Sequence, residues 1–249
     1  MAIDRVLETL LAIGDSDAPL GVAEVAERLS VPLSSAYRHV AVLKRHGLVS
    51  DTGQDGRISL GPAALRLGRR FDRQQMLLPL ILPRMQALVD HTHESAALMM
   101  VVGHSVVCVE KVESPLALRC SFQRGGKSTI RAGASAKALL AFIPEMQLRA
   151  ILSDLPADEA ASLREQIALI RKQGYAVSEG EVDQGIWGVS APIYSGPGGL
   201  EGCLTLMAPS SRVDARRQEM IELLRTTAAE TTKQVSAAYA NMTTHQQEN

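Results

Sequence analysis

Hydrophobic residues recur at intervals of three and four along residues 20–49, the spacing of α-helices that bury one face. This stretch predicts two short helices joined by a tight turn, the second of which ends at Gly47. The apolar side of the second helix consists of Ala36, Val40 and Leu43. At about 100° per residue, the opposite side carries Ser34, Arg38, Ala41 and Arg45.

A β-hairpin is predicted directly after the second helix. Leu48 and Val49 begin a strand, residues 51–56 form a polar turn, and residues 57–60 alternate as a second strand. Apolar positions near the amino terminus predict one more helix ahead of the pair, formed around Val6, Leu7, Leu10 and Leu11. Three helices and a hairpin form a winged helix-turn-helix, which we place at residues 1–61. The Ser/Arg side of its second predicted helix fits the major groove of DNA.

The remainder of the chain predicts a linker helix over residues 62–75 and an α+β domain over 76–249. Its first helix covers 77–90. Strands are predicted over 95–102, 105–112, 116–122, 189–194 and 202–208. Further helices are predicted over 134–142, 158–173 and 214–242. This order favours an antiparallel sheet flanked by helices.

Charge is unevenly distributed along the 249 residues, whose formal net charge is −1. Between Ser34 and Arg73 there are eight Arg or Lys residues and three acidic ones. Such a local excess of positive charge is expected where a protein contacts DNA phosphates.

Three cysteines, Cys108, Cys120 and Cys203, lie in apolar runs, and an odd number argues against a disulfide framework. We expect buried, reduced thiols. Acidic residues interrupt any signal-peptide core near the amino terminus, and no apolar run reaches membrane-spanning length. The sequence therefore predicts a cytoplasmic protein without a membrane segment.

Three segments resemble the IclR-type bacterial transcriptional regulators. They are VPLSSAYRHVAVLKRHGLV (31–49), IRAGASAKALLAF (130–142) and GYAVSEGEVDQGIWGVSAPIYSGPGGLEGCLTLMAPSSR (174–212). Two positions depart from the family pattern: Leu33 replaces a residue that is often basic, and Ala136 replaces the usual glycine before Lys137. The resemblance implies a GAF-like domain that binds a small organic effector, and homodimers or homotetramers that bind palindromic operator DNA.

The residues expected to contact DNA are Ser34, Ser35, Tyr37, Arg38, His39, Lys44, Arg45 and Arg57. Ser34, Ser35 and Arg38 occupy the first turns of the recognition helix, where base edges are reached. The others are expected to contact the DNA backbone or to pack within the domain, and Arg57 to reach a phosphate or the minor groove. For each residue, a solvated side chain is the alternative.

The resemblance places the effector pocket between the loop before helix 134–142 and the two late strands. The residues that it implies are Ala134, Ser135, Ser178, Trp187, Gly188, Thr205 and Met207. Backbone N–H groups at Ala134 and Ser135 suit a carboxylate. An apolar side of the pocket is expected from Met99, Val101, Cys120 and Phe122. The alternative for the apolar residues is ordinary core, and Trp187 is equally suited to packing or to a dimer surface.

Two other functions are considered for the second domain. The first alternative is a redox sensor, in which one of the cysteine thiols is reactive. The second is an enzyme domain fused to the DNA-binding module. The sequence offers no nucleophile motif for an enzyme. The run His91-Thr92-His93-Glu94 lacks the spacing of a zinc helix, and Glu179, Glu181 and Asp183 fit a solvated loop over the pocket. We therefore expect a regulator with no catalytic residue, metal or cofactor.

Overall fold

Residues 2–53, 56–74, 77–196 and 199–247 are described by the computed structural model. The chain divides into two units, residues 1–75 and 76–249. Each unit has its own hydrophobic core, which is expected for units of about this length.

The first unit is a winged helix-turn-helix, as predicted. Its elements are α1 (Ala2–Gly14), α2 (Val22–Arg28), α3 (Leu33–Arg45), β1 (Val49–Asp51), β2 (Ile58–Leu60) and α4 (Pro62–Gln74). Strands β1 and β2 pair antiparallel, and Leu20 adds a bridge to Ile58, so that the wing is tied to the residues before α2. The core packs α1, α2 and α3 through side chains that include Val25, Ala36 and Val40.

Helix α4 begins against the turn that follows α3. The N–H of Gly61 donates to the carbonyl of Leu48 at 2.8 Å, and that of Ala63 donates to the carbonyl of Gly47 at 2.9 Å. A Cβ on Gly61 would lie 2.3 Å from the carbonyl oxygen of Gly47, so only glycine fits this approach.

The second unit contains a six-stranded antiparallel sheet in the order β5-β4-β3-β8-β7-β6. Its strands are β3 (Ser95–Val102), β4 (Ser105–Val112), β5 (Lys127–Thr129), β6 (Ala176–Glu179), β7 (Ile186–Tyr194) and β8 (Leu200–Pro209). Its helices are α5 (Leu77–Thr92), α6 (Ala134–Phe142), α7 (Glu145–Ser153), α8 (Ala157–Gln173) and α9 (Arg217–Gln247), with a short 3-10 helix at Ser210–Arg212 before α9.

Helices cover both faces of this sheet. Because side chains alternate along a strand, Trp187 and Val189 belong to one core with α5 and α9. Residues of the other face, such as Ala97 and Cys203, pack with α6, α7 and α8. The predicted α+β class, with an antiparallel sheet between helices, is confirmed.

The strand predicted over 116–122 is wrong. The backbone of this segment is bound by side chains from distant residues instead: Ser95 Oγ donates to the carbonyl of Cys120 at 2.5 Å, and Arg212 Nη1 to that of Leu118 at 3.0 Å. The strand that pairs with β4 is β5. Helix α7 and the short strand β6 were not predicted.

None of the described helices combines the length and the apolar composition that crossing a membrane requires.

Candidate functional site

Helix α3 presents a polar surface because its apolar side is fully used in packing. Ala36, Val40 and Leu43 are buried in the core of the first unit. The exposed side chains of the predicted set on α3 are Ser34, Tyr37, Arg38 and Arg45. Arg38 lies along the helix, and its Nη2 donates to Ser35 Oγ at 3.0 Å. The structure therefore brings Ser34, Ser35 and Arg38 together at the start of α3.

Three further predicted DNA contacts, His39, Lys44 and Arg57, have partners in the protein outside the predicted set. His39 Nδ1 lies 3.1 Å from Oγ1 of Thr9, a buried residue of α1, so His39 helps to pack α3 against α1. Lys44 forms an ion pair with Asp51, with Nζ and Oδ1 2.6 Å apart. These contacts link α3 to its neighbours, which favours the packing alternative for His39.

Arg57 is the third. Its Nη1 donates to the carbonyl of Pro19 at 2.7 Å and lies 3.4 Å from Oε2 of Glu24 in α2. The pKa of Glu24 is lowered, mainly by the hydrogen bond from the N–H of Gly21 and further by Arg57. Arg57 thus connects the wing to α2 in this structure. Residues 54 and 55 of the predicted wing turn lie outside the described residues.

A cavity of about 270 Å³ lies in the second unit, between the start of α6 and the sheet. Ser178 of β6, Gly188 of β7, and Thr205 and Met207 of β8 form its floor. Residues 121–123, residues 126–128 and the segment before β7 also line it, as do Met99 and Cys108. Gly188 lies directly beneath the start of α6, since a Cβ there would be in ordinary contact with Ser178 Oγ at 3.4 Å and with Ala134 Cβ at 3.6 Å.

Hydroxyl groups meet at the floor of the cavity. Ser135 Oγ lies 2.9 Å from Thr205 Oγ1, which lies 2.7 Å from the buried Ser190 Oγ. Ser190 also donates to Ser135 at 3.5 Å. These three residues form a small network of exchangeable donors and acceptors at the edge of the cavity.

The N–H groups of Gly133 and of the first turn of α6 lie in the same region. Gly133 N donates to Glu181 Oε2 at 3.1 Å, and Ala134 N donates to Ser178 Oγ at 2.9 Å. The N–H groups of Ser135 and Ala136 have no acceptor among the described residues. A helix start of this kind carries a partial positive charge and suits an anion.

Most of the predicted effector residues meet at this cavity. Those in its lining are Ala134, Ser135, Ser178, Gly188, Thr205 and Met207. Of the predicted apolar side, Met99 and Phe122 line the cavity, whereas Val101 and Cys120 are not part of the lining.

Trp187 is the exception among the predicted effector residues, because it belongs to the other face of the sheet. Its side chain is fully buried with the residues that pack on α5 and α9, and the Arg217 guanidinium carbon lies 5.8 Å from its ring centroid. Trp187 and Gly188 are consecutive residues of β7, so their positions face opposite sides of the sheet. The structure thus favours the packing alternative for Trp187.

Two charged residues beside the cavity were not predicted as part of the site. Lys137 is only 7% exposed although it is charged, and its Nζ donates to Glu181 Oε1 at 2.5 Å. Glu181 lines the cavity. The sequence indicated a solvated loop over the pocket at this position, but no partner for the carboxylate. A lysine within the apolar run of α6 is the signal that could have pointed to this pair, since buried lysines require a partner.

The cysteines are free thiols in buried positions. Burial raises the pKa of Cys108 to about 11, that of Cys120 to about 11 and that of Cys203 to about 12. At neutral pH these groups are protonated, and it is the thiolate that reacts with oxidants and disulfides.

His91 and Glu94, at the two ends of the histidine-containing run, each have a partner elsewhere in the second unit. His91 Nε2 lies 3.2 Å from Glu219 Oε1, while Glu94 is buried in a bidentate ion pair with Arg212 at 2.6 and 2.7 Å. Within the described part of the chain, no group of three or more His, Cys, Asp or Glu side chains is arranged to hold a metal ion.

Each of the two units matches a domain of a known protein family. Residues 2–53 match the IclR helix-turn-helix domain, and residues 73–233 match the carboxyl-terminal domain of the bacterial transcriptional regulator IclR. The chain belongs to the IclR family. As an IclR-family protein it is a DNA-binding transcriptional regulator with an effector domain, and the family is not one of enzymes.

Individual relatives match most of the chain. The HTH-type transcriptional regulator BhcR of Paracoccus denitrificans is 29% identical over 228 residues, which are 88% of this chain and 81% of BhcR. A solved IclR transcriptional regulator from Silicibacter sp. TM1040 is 22% identical, with a TM-score of 0.82 over 95% of this chain and 96% of that one.

An IclR homologue from Microbacterium hydrocarbonoxydans was solved in complex with 4-hydroxybenzoate. It is 21% identical, with a TM-score of 0.77 over 95% of this chain and 100% of that one. These two structures share the fold of this IclR-family regulator.

Proposed function

We propose that this regulator reads operator DNA with the exposed side of α3 and that a small organic acid bound in the cavity controls its DNA binding. The observation that carries this proposal is the cavity at the start of α6, where unpaired N–H groups and hydroxyls meet. A regulator of chromosomal operators acts in the cytoplasm, which is where we expect this protein.

The chemistry of the cavity supports a ligand with an acidic group and an apolar body. The N–H groups of Ser135 and Ala136 suit a carboxylate, and Ser178 offers a further hydroxyl. Met99 and Phe122 supply apolar surface. A volume of about 270 Å³ is slightly below the usual range for ligand pockets, roughly 300–1,000 Å³, so the ligand is expected to be small. The 4-hydroxybenzoate bound by the Microbacterium homologue has this chemistry.

A thermal-shift screen of small aliphatic and aromatic carboxylic acids tests the proposal. A ligand at 100 times its Kd stabilises the folded protein by about 2.7 kcal/mol. Each acid that raises the Tm is compared with its carboxamide, which has nearly the same shape but no charge. We expect the amide to lose the effect and the acid to change operator affinity in a gel-shift assay. An amide that is as effective as its acid would contradict recognition of a carboxylate.

A DNA-binding redox sensor is the alternative function, and the thiol environments give it less support. Each cysteine is buried and has a raised pKa, whereas redox-sensing thiols usually have lowered pKa values and are accessible. Cys108 remains the candidate for this function because it lines the cavity.

Operator preference is expected to depend on Arg38. Arg38→Ala removes a guanidinium suited to a bidentate contact with guanine, which is worth about 1–3 kcal/mol, roughly five- to 150-fold in affinity for the operator. Binding to unrelated DNA should change little. Arg45→Ala, at the other end of α3, is the matched control and should weaken binding to all sequences alike. Both variants are titrated against operator DNA and unrelated DNA. If Arg38→Ala kept the wild-type preference for the operator, Arg38 would not be a base-reading residue.

A homodimer or homotetramer is proposed because one winged helix reads only a short half-site and a palindrome requires two. Exposed apolar side chains in the first unit support it. In α1, Ile3, Leu7 and Leu11 are 72%, 53% and 53% exposed at a spacing of four residues, so they share one side. In α4, Leu67 and Phe71 are 62% and 43% exposed and share a side in the same way.

Charged residues on that side of α4 should separate the protomers. For Leu67→Glu combined with Phe71→Glu, we expect monomers in sedimentation velocity at micromolar concentration, because buried carboxylates without partners oppose association. Leu65→Glu is the control, since Leu65 is equally exposed but lies on another side of α4. Retention of the wild-type sedimentation coefficient by the double variant would exclude α4 from the interface.

A further inference from the structure

Residues 180–185 form a short segment at the opening of the cavity, and we call it the cover segment. Its side chains at Glu181, Val182 and Asp183 line the cavity, although the residues themselves are exposed. Gly180 and Gly185 bound the segment with φ angles of +67° and +78°, a conformation that favours glycine. A Cβ at either glycine would meet nothing within 4 Å, so both ends of the segment have open space around them.

The ends of the cover segment are fixed on the sheet side. Gly180 N donates to the carbonyl of Ile186 at 2.8 Å, and Ser210 N donates to that of Gly185 at 2.8 Å. Among the described residues, Glu181 makes both hydrogen bonds that join the middle of the segment to α6 and to Gly133, the residue before it. Its Oε2 accepts from Gly133 N at 3.1 Å, and its Oε1 accepts from Lys137 Nζ at 2.5 Å.

The Lys137 end of this contact is buried and the Glu181 end is not. The Lys137 side chain is 9% exposed, whereas that of Glu181 is 35% exposed. Charge-assisted bonds in a partly desolvated place are the stronger kind of hydrogen bond. The neighbouring Val182 also approaches α6, since its Cγ2 lies 3.0 Å from the position of a Cβ on Gly133. The cover segment is therefore held to α6 mainly through one carboxylate.

We propose that Glu181 is a latch that holds the cover segment closed over the cavity and that opening of this latch admits the effector. The inference rests on the proposed effector function of the cavity. Glu181 is a positioning residue in this scheme: its carboxylate accepts from Gly133 N and from the Lys137 ammonium, and it leaves the N–H groups of Ser135 and Ala136 to the ligand. Lys137 also neutralises Glu181, so that an acidic ligand can bind beside it.

Hydrogen–deuterium exchange of the ligand-free, full-length protein tests the latch. Glu181→Gln keeps an oxygen that can accept from Gly133 N but removes the charge that attracts Lys137. We expect exchange in residues 131–137 and 180–186 to become at least fivefold faster, while the central strands β3 and β8 keep their protection. Lys137→Met removes the same attraction from the other side and should accelerate exchange in the same two segments.

Glu179→Gln is the matched control. Glu179 immediately precedes the cover segment, but its carboxylate pairs with Arg217 at 2.9 Å rather than with α6. It should leave exchange in residues 131–137 unchanged. Unchanged exchange of both segments in Glu181→Gln would overturn the proposal, and so would faster exchange throughout the sheet, because a latch acts locally. The exchange experiment uses the ligand-free protein, so its result does not depend on the outcome of the carboxylic acid screen. The latch and the proposed effector class can therefore fail independently.

Discussion

Ser135→Leu is expected to abolish effector binding while DNA binding survives. Ser135 lies at the start of α6, lines the cavity and has its hydroxyl 2.9 Å from Thr205 Oγ1. A leucine side chain at this position occupies part of a cavity of only about 270 Å³ and removes one of its hydroxyls. We expect the Kd for an acid found in the screen to rise more than 100-fold, measured by isothermal titration calorimetry. Operator affinity should match the wild type but no longer respond to the ligand.

Thr205→Val separates loss of a hydroxyl from loss of space, since valine has nearly the same shape as threonine. The lost hydrogen bond is worth about 0.5–1.5 kcal/mol, so the Kd should rise roughly two- to twelvefold. If both variants bound the acid as the wild type does, the effector site would lie elsewhere. Calorimetry is preferred to the fluorescence of Trp187, because its indole lies on the opposite face of the sheet from the cavity.

Among the substitutions proposed here, Arg212→Ala is expected to lower the free energy of unfolding most. Its partner Glu94 has a side chain that is only 3% exposed, and the pair is bidentate with distances of 2.6 and 2.7 Å. Removal of the guanidinium leaves a buried carboxylate without its counter-charge, which typically costs about 3–5 kcal/mol. We expect the lower end of this range because the Arg212 side chain is 28% exposed. Urea unfolding monitored by circular dichroism measures the change.

Arg149→Ala provides the comparison for an exposed ion pair. Arg149 pairs with Glu145 one turn away on α7, and the two side chains are 75% and 57% exposed. Pairs of this kind contribute about 0.3–0.5 kcal/mol. If Arg212→Ala destabilised the protein no more than Arg149→Ala does, the Glu94 carboxylate would not depend on Arg212.

The spacing of apolar residues correctly predicted the helices and strands that pack one continuous apolar face on a core. Helix α6 and strands β3 and β4 have the predicted bounds, because their apolar faces pack continuously on a core. The segment 116–122 also has apolar residues, but its backbone is bound by Ser95 and Arg212. Residues so far apart in the sequence leave no trace in a local pattern.

The candidate site was predictable only where family resemblance supplied positions. The family resemblance pointed to Ser178, Gly188 and Thr205, which line one cavity in the structure. It also pointed to Trp187, which is adjacent to Gly188 in β7 but lies on the other face of the sheet. The pair of Lys137 and Glu181 joins residues 44 positions apart. The apolar run around Lys137 indicates that this lysine needs a partner, but the local pattern does not show that the partner is Glu181.

The close approach at Gly61 makes α3 and α4 mechanically continuous. A Cβ at Gly61 would lie 2.3 Å from the Gly47 carbonyl oxygen, and two backbone hydrogen bonds join the same turn to the residues that precede and begin α4. Because the two backbone segments are in direct contact here, we expect a rotation of the first turns of α4 to be transmitted to α3 rather than absorbed between the two helices. A change in the orientation of α4 is therefore expected to change the orientation of the helix that we propose reads the operator.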